Sequence, residues 1–140
     1  MVTQAQLKRE RLRFRDFQFT RTPAGQCSAV VELEWLDGVR VTGSASGQSS
    51  PMGDLRIAAE AALGALQNFA EGQLEFELIG IKAMRAFDAN IVIVSVEVKR
   101  GEGPRRLLGS FLAEQDPIRA SVVAVLNATN RVLGNFISTR

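Results

Sequence analysis

Twice along this chain, runs of alternating apolar and polar residues give way to a helical stripe at a proline-marked cap. The first switch falls at Ser50-Pro51 and the second at Asp116-Pro117. Alternation places successive side chains on opposite faces of a strand, whereas spacings of three and four line one face of a helix. A chain that changes period in the same way twice is constrained to two copies of one supersecondary unit. In the first copy, Arg11 to Thr20 alternates charge with bulk (Leu12, Phe14, Phe17, Phe19), and a phase change near Asp16 predicts a bulge. Thr22-Pro23-Ala24-Gly25 is a turn. Ser28 to Leu36 sets Ala29, Val31, Leu33 and Trp35 against Glu32 and Glu34. Asp37-Gly38 then reads as a hairpin leading into Val39, Val41, Gly43 and Ala45. Ser50 caps a helix whose first residue is Pro51. Leu55, Ala58, Ala59, Ala62, Leu63, Leu66 and Phe69 form its stripe, and Gly72 ends it.

The second copy repeats this order. Leu74 to Ala86 is a strand with an irregularity at Gly80, and Asp88-Ala89-Asn90 is a turn. Ile91 to Lys99 carries Val92, Val94, Val96 and Val98 on one face. Gly101 to Pro104 turns the chain into a third strand, Arg106 to Ala113. Asp116 caps the closing helix, whose stripe is Ile118, Val122, Val125, Leu126, Thr129, Leu133 and Phe136. The copies align at a constant offset: Leu55-Arg56 with Ile118-Arg119, Ala61 with Ala124, Ala65 with Ala128, Val31 with Val94 and Gly38 with Gly101. The expected fold is therefore α/β of the α+β kind, two βββα units (11–72 and 73–138) in a single domain over 11–140, with a short arm at 1–10. One helix cannot cover a sheet face alone, so the units should pack together about a pseudo-twofold axis.

Composition narrows the chemistry. The 140 residues include no histidine, no tyrosine and one cysteine, Cys27. The usual general base near neutral pH is missing, as are Ser–His and Cys–His nucleophile pairs and a thiolate or imidazole metal site within one chain. No cofactor, no metal and no enzymatic activity are expected. With 17 basic and 15 acidic residues, the net charge is only +2. The basic run Lys8, Arg9, Arg11, Arg13, Arg15 and Arg21 could serve as a nucleic-acid arm, but it reads more simply as a solvated face. No apolar run is long enough to span a membrane. No apolar segment follows the first basic residues, so no signal peptide is read. A lone cysteine fits a reducing compartment, and a cytoplasmic location is expected.

Two groups of residues could hold a ligand. The strand-to-helix turns, Gly47-Gln48-Ser49-Ser50 to Asp54 and Gly109 to Asp116, join a glycine, small polar groups and a helix N-terminus, a combination that suits an anion. The plainer reading is two ordinary helix caps. Late on the closing helix, Asn127, Asn130 and Arg131 cluster on one side, with Ser121 and Thr129 nearby. They either bind a ligand or tie the helix to neighbouring backbone. Glu32, Glu34, Glu75 and Glu77 alternate with apolar residues and read as solvated strand faces.

The segment Ala120-Ser121-Val122-Val123-Ala124-Val125-Leu126-Asn127-Ala128-Thr129-Asn130-Arg131, the hairpin from Ile79-Gly80-Ile81 to Ile91-Val92-Ile93-Val94 and the βββα–βββα order resemble one family. It is the C-terminal regulatory (dimerisation, leucine-binding) domain of 2-isopropylmalate synthase, shared with citramalate and related synthases. The resemblance covers roughly residues 11–137. It implies a detached regulatory module: a homodimer that binds a small effector, such as an amino acid or 2-oxo acid, at the two turns and acts on a protein partner. The turns depart from the family's Gly-x-Gly pattern, and the catalytic barrel with its metal-binding histidines has no counterpart. A structural adaptor and a nucleic-acid binder are the alternative readings.

Overall fold

A computed structural model describes residues 12–35, 38–100 and 103–138. The expected arm at 1–10, Asp37 of the first hairpin and Gly101-Glu102 of the second lie outside the described residues. The elements follow in the order β1 (Arg13–Arg21), β2 (Gln26–Trp35), β3 (Val39–Gln48), α1 (Pro51–Phe69), β4 (Glu75–Ala86), β5 (Ala89–Lys99), β6 (Pro104–Leu112) and α2 (Pro117–Ser138). The fold is α+β: two separate antiparallel sheets, β1-β2-β3 and β4-β5-β6, each followed by its helix. No helix among the described residues is long and apolar enough to cross a membrane.

The inward residues of the central strands make the core. Cys27, Ala29, Val31 and Leu33 of β2, and Val92, Val94, Val96 and Val98 of β5, are all buried. The helix α1 packs on β2 and β3, touches β4 of the other sheet and lies against α2, which in turn packs on β5 and β6. The helix pair thus forms a middle layer between the sheets. Its most enclosed member, α1, is buried on nearly every side, as its run of alanines allows.

Two glycines set how closely strand and helix approach. A Cβ at Gly43 of β3 would fall 2.1 Å from the Ala65 nitrogen and 2.2 Å from the Ala61 oxygen. A Cβ at Gly109 of β6 would fall 2.2 Å from the Ala124 oxygen and 2.5 Å from the Ala128 nitrogen. The helix residues met by the two glycines are the pairs that align between the copies. The repeat is therefore visible in packing as well as in sequence.

Other features recur. Both first strands carry a register shift, between Phe14 and Asp16 in β1 and between Leu78 and Gly80 in β4. At each shift the aligned arginine of the opposite half arrives. Arg56 of α1 donates to the Leu78 carbonyl at 3.3 Å, and the guanidinium of Arg119 of α2 lies 4.5 Å from the Phe14 ring centre. Each helix thereby grips the first strand of the other unit.

Three local details differ from expectation. The third strand runs on to Gln48, because Cys27 pairs with Gly47 and Gln26 with Gln48. Gly109 lies inside β6, opposite Val94, as the expected third strand had it, and not at the head of the turn to α2. The β4–β5 hairpin closes one residue early, at Phe87-Asp88, because Ala86 pairs with Ala89. Both hairpin residues have positive φ, 52° and 59°, as a two-residue type I′ turn requires. Phe87 holds this conformation with its side chain 99% exposed. Helix α1 ends with Glu71 at φ 53° followed by Gly72 at φ 81°. Gly72 N–H donates to the Gln67 carbonyl and Glu71 N–H to the Asn68 carbonyl, a Schellman ending in which Glu71 takes the place usually held by glycine.

Two substitutions test these constraints. Phe87→Asn relieves a bulky residue of a left-handed conformation and should raise stability by about 1 kcal/mol in urea titration; a loss would contradict the turn geometry. Gly109→Ala forces β6 off the α2 backbone and should cost about 3 kcal/mol; a change under a few tenths would contradict the close approach.

Candidate functional site

The first strand-to-helix turn is a packed polar knot. Ser50, in extended conformation, accepts the Gly53 N–H on its side-chain oxygen at 2.9 Å, and Pro51 opens the helix. One turn further, Asp54 is only 5% exposed. Its Oδ1 accepts the Ser49 hydroxyl at 2.8 Å. Its Oδ2 accepts Arg21 Nη2 at 2.8 Å and Nε at 3.2 Å. The Cys27 side chain lies beside this carboxylate and interacts with it. Ser49 N–H reaches the Gly25 carbonyl at 2.8 Å, which ties in the β1–β2 turn. Four segments (the end of β1, the start of β2, the β3–α1 turn and α1) therefore meet on one carboxylate. Gly47 faces Ile57, and a Cβ on Gly53 would strike Ser50 Oγ at 2.6 Å, so the knot leaves little room.

The titration behaviour follows from this geometry. Burial alone would raise the pKa of Asp54, but hydrogen bonds from Arg21, Ser49 and Cys27, with the charge of Arg21, outweigh it and hold the carboxyl below its ordinary value. Burial pushes the Cys27 thiol up, and the hydrogen bond and charge of Asp54 add to it. Arg21 and the Gly47 backbone offset only part of that rise. The Cys27 thiol thus stays protonated at neutral pH, unsuited to nucleophilic attack.

The second turn is built differently. Asp116 Oδ1 accepts the Arg119 N–H at 3.0 Å, an exposed cap, while the Ala113 N–H extends the ladder to the Asn90 carbonyl at 2.8 Å. Pro117 aligns with Asp54, so this end has no equivalent carboxylate. Beside it, Phe111, Leu112, Arg119, Ala120 and Val123 line an open, mainly apolar groove between the end of β6 and α2.

The remaining candidates serve the helix. Ser121, fully buried, donates to the Ile118 carbonyl at 2.6 Å, and buried Thr129 donates to the Val125 carbonyl at 2.9 Å. Asn127 Nδ2 donates to the Ser110 carbonyl of β6 at 3.0 Å. Asn130 and Arg131 are exposed on α2. Gly47, Gln48, Ser49, Ser50 and Asp54 are thus brought together, whereas Gly109, Asp116 and Ser121 lie in separate local settings. Glu34 and Glu32 pair with Arg15 and Arg40 across the outer strand faces, at 3.4 and 3.5 Å.

Sequence reasoning missed two members of the knot. Arg21 was absorbed into a basic run, and Cys27 was read only as a lone cysteine. The available signal was Asp54 itself, an acid adjoining the apolar stripe of a helix, which needs a cationic or donor partner from elsewhere. No protein-family model matches the chain, and no curated protein sequence matches it.

Asp54 has a folded pKa below its unfolded one. Its contribution to stability is therefore complete above pH 3.8 and disappears as pH falls through the folded value. Because Arg21 is more than half exposed, solvent screens much of its charge, and the buried hydrogen bonds carry most of the effect. Asp54→Asn should cost about 2 kcal/mol at neutral pH and flatten the acid limb of the stability profile. An unchanged acid limb in denaturant titrations across pH would contradict this role.

Proposed function

We propose that this chain is a non-catalytic self-association module, and that its second sheet carries the contact. The observation that supports this reading is the contrast between the outward faces of two otherwise repeated sheets. On the first, β1 to β3 present Gln18, Thr20, Glu32, Arg40, Thr42 and Ser44, with Val30 the sole large apolar residue among those described on its central strand. On the second, Leu108 is 71% exposed and Leu112 49%, with Met84 and Ile79 also exposed and Ile91 and Ile93 half-buried. Exposed apolar side chains gathered on one side mark contact surfaces. The resemblance of the βββα order to dimerising regulatory domains points the same way. The knot at Asp54 favours a structural part for the first turn over an effector pocket there, since its donors and carboxylate already satisfy one another.

Sedimentation velocity across a concentration series tests the proposal. Reversible dimerisation is expected, with Leu108→Lys shifting the chain to monomer while its unfolding midpoint stays within experimental scatter, because Leu108 contributes little to the core. A chain that is monomeric at every concentration, or a Leu108→Lys variant that associates as strongly as the parent, would overturn it.

A further inference from the structure

We propose that the partner is a second copy of this chain, joined antiparallel along the free edge of β6 with Ser110 on the twofold axis; this rests on the self-association reading and gives it an interface. The strand β6 is the last in the order β4-β5-β6, so its far side has no neighbouring strand. Ala113, paired with Asn90, donates its N–H to the Asn90 carbonyl. By alternation, the odd residues of β6 turn their peptide groups toward β5. Arg106, Leu108, Ser110 and Leu112 then turn theirs toward the open edge.

The four edges of the two sheets are not equally guarded. The bulges of β1 and β4 interrupt their edges, and charges stand along both: Arg13, Asp16 and Arg21 on β1, Lys82 and Arg85 on β4. The edge of β3 is regular but bears small polar side chains from Thr42 to Gln48. From Leu107 to Ala113, β6 has no charge, no proline and no bulge, the condition under which an edge recruits another strand.

The sequence of β6 then selects one partner and one register. On the outward face the order is Arg106, Leu108, Ser110, Leu112, and Glu114 follows in the bend just beyond the strand. This order is apolar-palindromic about Ser110 and opposite in charge at its two ends. Antiparallel pairing centred on Ser110 sets Arg106 against Glu114 of the second copy, and Leu108 against its Leu112, with both contacts repeated by the twofold. Cross-strand pairs of these kinds stabilise a sheet. On the inward face the same register sets Phe111 across from the other Gly109. Centring on Gly109 would set Arg106 against Leu112, and centring on Phe111 would set Leu108 against Glu114. An isologous pair about an axis normal to the sheet also requires a residue to face its own counterpart.

Since α2 packs on β5 and β6, pairing the two β6 edges, about 4.8 Å apart, sets the two α2 helices on the same side of the joined sheet. That covers the apolar groove beside Phe111 and Val123. Asn127 already holds the Ser110 carbonyl, but a carbonyl oxygen accepts twice, so its second lone pair can take the N–H of the facing Ser110. Arg106, 3.8 Å from Glu97 within its own sheet, would then sit between two carboxylates.

Charge exchange supplies the test. Glu114→Arg and Arg106→Glu should each weaken homodimerisation about tenfold in sedimentation equilibrium, because each places like charges opposite one another twice. An equimolar mixture of the two variants should associate as tightly as the parent, since both contacts are then complementary. Ser110→Cys should form an intermolecular disulfide under mild oxidation. A dimer that ignores both single variants, gains nothing on mixing and forms no Ser110→Cys cross-link would overturn the edge pairing while leaving self-association intact. A parent chain that never dimerises would overturn both.

Discussion

The close approach at Gly43 and Gly109 governs the architecture. A strand that presents no Cβ at the point of contact lets a helix backbone rest almost on the sheet. Only small residues can then line the contacting stripe, and Ala61, Ala65, Ala124 and Ala128 do so. Each buries little surface, but many short-range contacts form between backbones at that depth, and dispersion is steep in distance. The same closeness narrows the middle layer enough for α1 to touch β4 and for the arginines at 56 and 119 to reach across to the opposite first strands. The crossing contacts between halves follow from the depth at which each helix sits on its own sheet.

Against this repeated frame, the knot at Asp54 is a local departure. The aligned position in the second half is Pro117, and the cap there is an exposed Asp116 bonded only to its own first turn. One helix start is pinned to two strands and a hairpin turn by a buried carboxylate, whereas the other ends in an open groove. The pinned end belongs to α1, the helix enclosed on nearly all sides. The open end belongs to α2, which keeps one flank, with Asn127, Asn130 and Arg131, exposed beside the free edge of β6.

Much of this was legible in the chain, because period-two and period-3.6 patterns report burial directly. The inward set Ala29, Val31 and Leu33, the valines at alternate positions from 92 to 98, the bulge near Asp16 and the irregularity at Gly80 all reappear where the pattern put them. What was not legible depends on pairing between distant segments. Arg21 and Asp54 are 33 residues apart, and nothing local distinguishes that arginine from its neighbours on the basic run. Gly109 was read both within the third strand and at the head of the turn to α2; register against Val94 and the backbone of α2, both long-range, decide for the strand. At Phe87-Asp88 the ladder between β4 and β5 overrides local turn preference and holds two non-glycine residues at positive φ.

The two halves share their inward faces and differ outward, and this separates what the fold requires from what it leaves free. Inward positions are fixed by the helix contact, so Val31 and Val94, or Gly43 and Gly109, keep the same character in both copies. Outward positions carry no such constraint. A polar outward face therefore needs no explanation, whereas retaining Leu108 at 71% exposure exposes apolar surface to water with no return inside the chain. From Leu107 onward the same strand lacks the charges and irregularities that guard the edges of β1 and β4. A solvent-facing leucine that does little for its own fold, on a stretch of edge without charge or bulge, is the observation on which the proposed contact between two copies rests.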